Sequence, residues 1–142
     1  MIAGPAALAL ILAFDPAHLV AYRDSRCTLA IGFGHHGAVY TGQRITQREA
    51  EILLRGDLRA AGAAVTRLVS APLTQHQFDS LASFIYNVGA GSFARSNVRK
   101  RLNARDYAGA AEAILLWTRA GNRRGALRAR RMAEYQLFTR RE

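Results

Sequence analysis

Two helix-start signals near the middle of the chain constrain its fold more than any other feature. In ITQREAEILLRGDLRAAGAAVTRLV, Thr46 is followed three residues later by Glu49, and in PLTQHQFDSLASFIYNVGAGSF, Thr74 is followed at the same spacing by Gln77. This is the capping-box pattern, in which each side chain of the pair binds the backbone N–H of the other residue. Apolar residues then recur at helical spacing in both stretches. The sequence therefore predicts two amphipathic helices that begin after Thr46 and after Thr74.

The segments around these two helices predict more helices and one β-rich region. The apolar run at residues 2–14 predicts an N-terminal helix, and Gly89 and Gly91 are expected to end the helix that follows Thr74. Residues 22–42 mix glycines with β-forming residues, which predicts a short hairpin or small sheet. Short helices are expected in SNVRKRLNARDY and YAGAAEAILLWTRAG, followed by a basic amphipathic end. The predicted fold class is α+β, mostly helical with a small β-hairpin region near residues 22–42.

The length and the apolar content predict one globular domain over residues 1–142. Half of the residues are hydrophobic and 21% are charged, which is typical of a folded chain that builds its own core. The run at residues 2–14 is shorter than the roughly 20 residues that span a bilayer, and it lacks the basic start of a signal peptide. We therefore expect no membrane span. With Cys27 as the single cysteine, no intrachain disulfide can form.

The charge balance indicates a polyanionic partner. The chain has 20 Lys and Arg against 10 Asp and Glu, a net charge of +10. Nucleic acid, anionic lipid and the anionic polymers of a bacterial envelope all fit such a surface. The C-terminal RRGALRARRMAEYQLFTRRE is either an arm that binds phosphates or a docked helix with a solvated basic face. The near-helical spacing of Leu127, Met132, Tyr135 and Phe138 favours the docked helix, so nucleic acid is a possible but not the favoured partner.

Several kinds of site have little support in the sequence. The glycine-rich AIGFGHHG matches neither phosphate-loop pattern. His35 and His36 are adjacent, so on a strand they would point to opposite faces, and we expect no metal site. Ser80 and Ser83 lack the G-x-S-x-G setting of a hydrolase nucleophile. No metal or cofactor is predicted.

A pair of carboxylates is the remaining candidate for chemistry. FDPAHLVAYRD contains Asp15 and Asp24, and no other acidic residue precedes Glu49. An inverting glycosidase needs one acid to protonate the leaving oxygen and one carboxylate to activate water, separated by roughly 6.5 to 9.5 Å. One carboxylate at a helix end and one in the following hairpin can meet that requirement. Spacing along the chain alone is a weak signal.

The order of motifs resembles that of the phage-type lysozymes, the endolysin family of muramidases. Their pattern F-E-G-x-x-L-x-A-Y-x-D, then G-x-x-T-I-G-x-G-H, aligns with FDPAHLVAYRD and CTLAIGFGHHG. The similarity continues through both capped helices, SNVRKRLN, Trp117 and RRGALRARRMAE, over nearly the whole chain. The resemblance implies a lysozyme-like fold and activity on bacterial peptidoglycan.

The resemblance also assigns two catalytic positions, and it includes four departures from the family pattern that bear on activity. Asp15 stands where the family has its general-acid Glu, and Asp24 stands at the carboxylate that orients the attacking water. Ala30 replaces the Thr that helps to hold that water. Pro16 and Cys27 each replace a glycine, with a loss of backbone freedom.

Five further positions follow from the same resemblance. It implies that Phe33, His35 and Asn87 bind substrate. It also implies structural support from Asp57, as the partner of His35, and from Arg130, which in relatives reaches the acid.

Taken with these departures, the resemblance predicts a phage or prophage endolysin, an inverting muramidase whose site is impaired. Asp is shorter than Glu by one methylene, about 1.5 Å, and misplacement of about 1 Å can cost about 100-fold in rate. The expected protein is a monomer that accumulates in the host bacterial cytoplasm before lysis and then acts at the cell wall. Two alternatives stay open: a catalytically inactive wall-binding or virion-associated protein, and a basic nucleic-acid-binding or inhibitory protein on this fold.

Overall fold

The computed structural model describes residues 1–141 and has seven helices and two strands in that range. In chain order they are α1 Pro5–Phe14, β1 His18–Arg23, β2 Leu29–Gly32, α2 Gln47–Leu68, α3 Gln75–Val88, α4 Ala90–Ala94, α5 Asn97–Asn103, α6 Tyr107–Ile114 and α7 Arg128–Thr139. The α+β class predicted from the sequence is confirmed.

Both predicted capping boxes are present. The Thr46 hydroxyl accepts the Glu49 N–H at 3.1 Å, and the Glu49 carboxylate accepts the Thr46 N–H at 3.1 Å. The Thr74 hydroxyl accepts the Gln77 N–H at 3.1 Å, and the Gln77 amide oxygen accepts the Thr74 N–H at 2.9 Å. The predicted starts of α2 and α3 are therefore confirmed, and these two helices pack against each other.

The β region was predicted with wrong boundaries. β1 begins at His18 rather than near residue 22, and β2 ends at Gly32. Residues 33–42 are turns and irregular segments, with one isolated bridge between Ile31 and His35. The early start has a physical cause, because β1 is paired on both edges. The Ala21 N–H donates to the Gln43 carbonyl at 2.9 Å, on the side away from β2, and Tyr22 pairs with Ala30 in β2.

Gly89 ends α3 as predicted, but Gly91 does not act as a helix stop. Gly89 has a φ of +92°, a conformation that glycine adopts without steric cost. The chain then turns directly into α4, which contains Gly91. The Gly89 carbonyl accepts the Phe93 N–H at 3.1 Å, so this glycine both ends one helix and begins the next.

α3 lies at the centre of the fold and packs against α1, α2 and α7. Its aromatic centre is Phe84, fully buried, which makes edge-to-face contacts with Phe93 and Trp117 at centroid distances of 6.3 and 5.7 Å. Edge-to-face contacts stabilise aromatic pairs by more than the burial of their apolar surface alone provides. The strands and the end of α1 are arranged on one side of this core, where they form the mouth of a cleft.

The buried face of α7 differs from the predicted one. Met132 is 44% exposed and Leu127 precedes the helix, whereas Arg130, Arg131 and Glu134 are buried together with Leu137 and Phe138. Buried charges are tolerated when they are paired, and both arginines bind Glu134. The docked-helix interpretation is supported, but the docked face contains the charges that the sequence pattern had placed in solvent.

Candidate active site

A cleft of about 280 Å³ opens between the end of α1, the β1–β2 turn and α3. Four of the predicted site residues line it, namely Asp15, Asp24, Phe33 and Asn87. Ala30 is fully buried behind the cleft wall. The two carboxylates that are separated in sequence therefore face one shared cavity.

Asp15 is held by a buried arginine. It follows the last turn of α1, where its N–H donates to the Ile11 carbonyl at 2.8 Å. Its carboxylate accepts Arg130 Nη1 at 2.6 Å, and the two side chains are 26% and 3% exposed. Arg130 is fixed from the other side by Glu134, at 3.3 Å. The Asp15 carboxylate therefore has a defined direction, set by α7.

Asp24 is held by the turn that joins β1 to β2. Its Oδ1 accepts the N–H groups of Arg26 and Thr28, both at 2.9 Å, and its Oδ2 lies 2.7 Å from His36 Nε2. Burial opposes ionisation of Asp24, but the bonds from two backbone N–H groups and from His36 outweigh it, so the pKa of Asp24 lies below its usual value. Asp24 is thus an anion at neutral pH, as a residue that orients water must be.

The same turn contains a strained residue. Cys27, which the sequence resemblance assigns to a glycine position, is exposed and has a φ of +59°. Its N–H donates to the Asp24 carbonyl at 2.9 Å, and its carbonyl accepts Arg23 Nη1 at 2.9 Å. These bonds keep a side chain in a left-handed conformation that costs on the order of 1 kcal/mol.

We expect Cys27→Gly to raise the free energy of unfolding by roughly 1 kcal/mol, because glycine adopts positive φ without that cost. Urea denaturation measures the change. Cys27→Ala is the matched control, since it removes the thiol and keeps the Cβ, and it should remain within about 0.5 kcal/mol of the natural protein. Equal stabilisation by both substitutions would show that the thiol, and not the backbone, is the source.

The predicted partner of His35 is in place. His35 Nδ1 lies 2.7 Å from Asp57 Oδ2, which connects the segment after β2 to α2. Beside it, the Tyr86 hydroxyl donates to the Phe33 carbonyl at 2.6 Å. Burial, together with the charges of Asp57 and Asp15, raises the pKa of Tyr86, so this hydroxyl stays a donor. These contacts fix the cleft wall that carries Phe33.

The site also contains functional groups that the sequence reasoning missed. Tyr22 lines the cleft, and burial followed by the charges of Asp15 and Asp24 raises its pKa. Its place two residues before Asp24, on a strand that alternates its side chains between two faces, could have indicated this. The contact of His36 with Asp24 had no signal in the sequence, because it depends on the path of residues 33–36.

Behind the cleft, a buried polar cluster joins α7 to α3. Arg131 donates to Glu134, to the Asn87 side chain and, at 2.7 Å, to the Trp117 carbonyl. Ser83 donates to Glu134 at 2.6 Å. Burial lowers the pKa of Arg131, and the charge of Glu134 opposes that effect. Asn87 therefore lines the cleft while its amide oxygen is held from behind.

Residues 1–141 contain no group of three or more His, Cys, Asp or Glu side chains that could hold a metal ion. In the same range, every helix is too short or too polar to cross a bilayer.

Comparison with known proteins finds similarity to phage lysozymes and endolysins. The family model described as Phage lysozyme matches residues 13–134. The endolysin of Salmonella phage P22 is 42% identical over 125 residues, which cover 84% of this chain and 86% of that protein. The endolysin of Acyrthosiphon pisum secondary endosymbiont phage 1 is 35% identical over 136 residues, covering 92% and 93% of the two chains.

Solved structures extend the similarity to the fold. The muramidase domain of SpmX from Asticaccaulis excentricus has a TM-score of 0.86 at 36% identity, and the match covers 97% of both chains. A mutant of the P22 lysozyme has a TM-score of 0.82 at 36% identity and covers 99% of both chains. The matched residues include Asp15, Asp24 and the α7 cluster behind them. This chain belongs to the phage lysozyme family.

Proposed function

We propose that this protein is an endolysin-type muramidase that hydrolyses bacterial peptidoglycan, with a rate reduced by changes at its acid and at its water site. One observation carries the proposal: Asp15 and Asp24 line the same cleft in a chain of this family. The electrostatics of Asp24 support it, because three hydrogen bonds orient this carboxylate and lower its pKa. Glycoside hydrolysis by inversion requires two carboxyl groups on one cleft.

In the proposed reaction, protonated Asp15 gives its proton to the glycosidic oxygen between N-acetylmuramic acid and N-acetylglucosamine. The bond from that oxygen to the anomeric carbon breaks. Asp24 accepts a proton from a water molecule as the water oxygen bonds to the anomeric carbon from the opposite face. The products are two shorter glycans, and the two carboxyl groups exchange their protonation states before the next cycle. No redox step is involved.

Two features support a reduced rate. Asp15 is one methylene shorter than Glu, and Arg130 holds its carboxylate at 2.6 Å, toward α7. A group that donates a proton must first take one up, so this ion pair has to be disrupted or reorganised. Ala30 is fully buried and has no hydroxyl that could bind the attacking water.

We expect Asp15→Glu to raise the rate of muropeptide release by about 100-fold, because the added methylene restores the reach of the acid. The assay is release of soluble muropeptides from purified cell walls, followed over time. Ala30→Thr alone should have a smaller effect, since it restores one hydrogen bond to water, and the double variant should exceed both. A double variant no faster than the natural protein would show that the cleft has diverged beyond these two positions.

A second candidate function is wall binding without hydrolysis. The shorter acid at Asp15 and the apolar Ala30 favour it, because each departs from the family pattern at the catalytic site. Cosedimentation with insoluble peptidoglycan, with no muropeptide released even at high protein concentration, would establish the binder. Turbidity clearing that disappears in Asp24→Ala would establish the enzyme.

The positive charge of the chain is consistent with the bacterial cell wall as its partner. A net charge of +10 favours association with the anionic bacterial wall, and such association weakens with salt. Burial of Arg130 and Arg131 removes two cations from the C-terminal face that had suggested a nucleic-acid arm. We propose that the protein collects in the host cytoplasm and acts as a monomer when it reaches the wall.

A further inference from the structure

His36 lies at the junction of two cavities. It lines the cleft that contains Asp15 and Asp24, and it also lines an adjoining cavity of about 230 Å³ that includes Asp57. Gly34 and Tyr86 are shared by both cavities as well. A glycan that extends from one cavity into the other must therefore pass the His36 side chain, which is 50% exposed.

The contact of His36 with Asp24 occupies the oxygen that the turn leaves available. Asp24 Oδ1 already accepts two backbone N–H groups, from Arg26 and Thr28. Asp24 Oδ2 lies 2.7 Å from His36 Nε2. An oxygen with one hydrogen bond keeps a lone pair for water, and the direction of that lone pair is set by the bond already made. The hydrogen bond from the imidazole thus sets the direction in which the free lone pair of Oδ2 points into the cleft.

The residue at position 30 cannot form a hydrogen bond with the attacking water. Ala30 is fully buried and carries no polar side-chain atom. We propose that His36 is a positioning residue for Asp24, holding Oδ2 and through it the attacking water in a cleft whose residue 30 offers no hydroxyl. This inference rests on the proposed muramidase activity.

Variants of His36 test this role through kinetics. We expect His36→Ala to lower kcat by about 10-fold or more, the effect of losing a hydrogen bond to a charged group, with a smaller change in KM. His36→Gln keeps an N–H donor at this position, so it should retain most of the activity. His76→Gln is the matched control, because His76 lies at the start of α3 and lines neither cavity.

Rescue by the conservative variant separates positioning from a merely structural role. His36→Gln should keep most of the kcat that His36→Ala loses, because its side-chain N–H can still donate to Asp24 Oδ2. An equal loss of kcat in both variants, or a His36→Ala variant with the kcat of the natural protein, would overturn the inference.

A spectroscopic measurement keeps the inference distinct from the proposed function. Imidazole nitrogen NMR should show the Nε2–H tautomer for neutral His36, and Asp24→Asn should change its ring nitrogen shifts while those of His76 stay constant. If the natural protein releases no muropeptide, the proposed function fails. If the His36 ring does not respond to Asp24→Asn, the inference about His36 fails, whatever the activity.

Discussion

Asp24→Asn is expected to lower the rate of muropeptide release by about 10²- to 10⁴-fold, the usual contribution of a positioned acid or base. The substitution leaves the shape of the side chain unchanged but removes the negative charge that attracts the proton of the attacking water. Purified peptidoglycan is incubated with each protein at equal concentration, and soluble fragments are quantified by chromatography.

The design of this variant separates chemistry from folding. The Asn oxygen can still accept the Arg26 and Thr28 N–H groups that Asp24 Oδ1 accepts at 2.9 Å, so the turn should keep its conformation. Asp106→Asn is the matched control. Asp106 also accepts a backbone N–H, from Gly109 at 2.9 Å, and its pKa is likewise lowered, first by that bond and then by Arg101, but it lies at the start of α6 outside the cleft. Unchanged release by Asp24→Asn would remove Asp24 from the mechanism.

The second large effect is expected from Glu134, which is fully buried in α7. It is the shared anion of Arg130 and Arg131, and it also accepts the Ser83 hydroxyl at 2.6 Å. Glu134→Ala leaves two buried guanidinium groups without this partner, and breaking a buried pair from one side costs about 3 to 5 kcal/mol. We expect a loss of that size in the free energy of unfolding, measured by urea denaturation with two independent probes to test two-state behaviour.

An exposed glutamate provides the comparison. Glu51 lies on the solvent face of α2, and Glu51→Ala should change the free energy of unfolding by no more than about 0.5 kcal/mol. Glu134→Gln should fall between the two, because the amide oxygen accepts hydrogen bonds without carrying charge. A Glu134→Ala variant within about 1 kcal/mol of the natural protein would mean that the arginines find water or other partners when the carboxylate is lost.

Local chemistry explains which parts of the fold were predictable. Thr46 with Glu49, and Thr74 with Gln77, carry the whole signal for a helix start within four residues, so α2 and α3 were predicted correctly. The start of β1 at His18 was not, because it depends on pairing with residues 43–45, far along the chain. Strand ends that are set by distant partners leave little trace in the local sequence.

In the candidate site, too, features with a local sequence signal were predicted and features set by distant contacts were missed. Asp15 and Asp24 were identified from a motif that is contiguous in sequence, and they line one cleft. The burial of Arg130 and Arg131 was missed because α7 was read by its apolar residues, although the spacing to Glu134, four and three residues away, allows both ion pairs on one helix. The contact between His36 and Asp24 joins residues 12 apart across irregular backbone, which no periodicity describes.

The central claim is that this cleft still hydrolyses the glycan of peptidoglycan by using Asp15 and Asp24. The most direct test is mass-spectrometric analysis of purified peptidoglycan digested by the natural protein and by Asp24→Asn, with the reducing ends of the fragments identified after borohydride reduction. We predict fragments that end in reduced N-acetylmuramic acid from the natural protein, and almost none from the variant. Absence of such fragments from the natural digest, or equal amounts from both proteins, would contradict the claim.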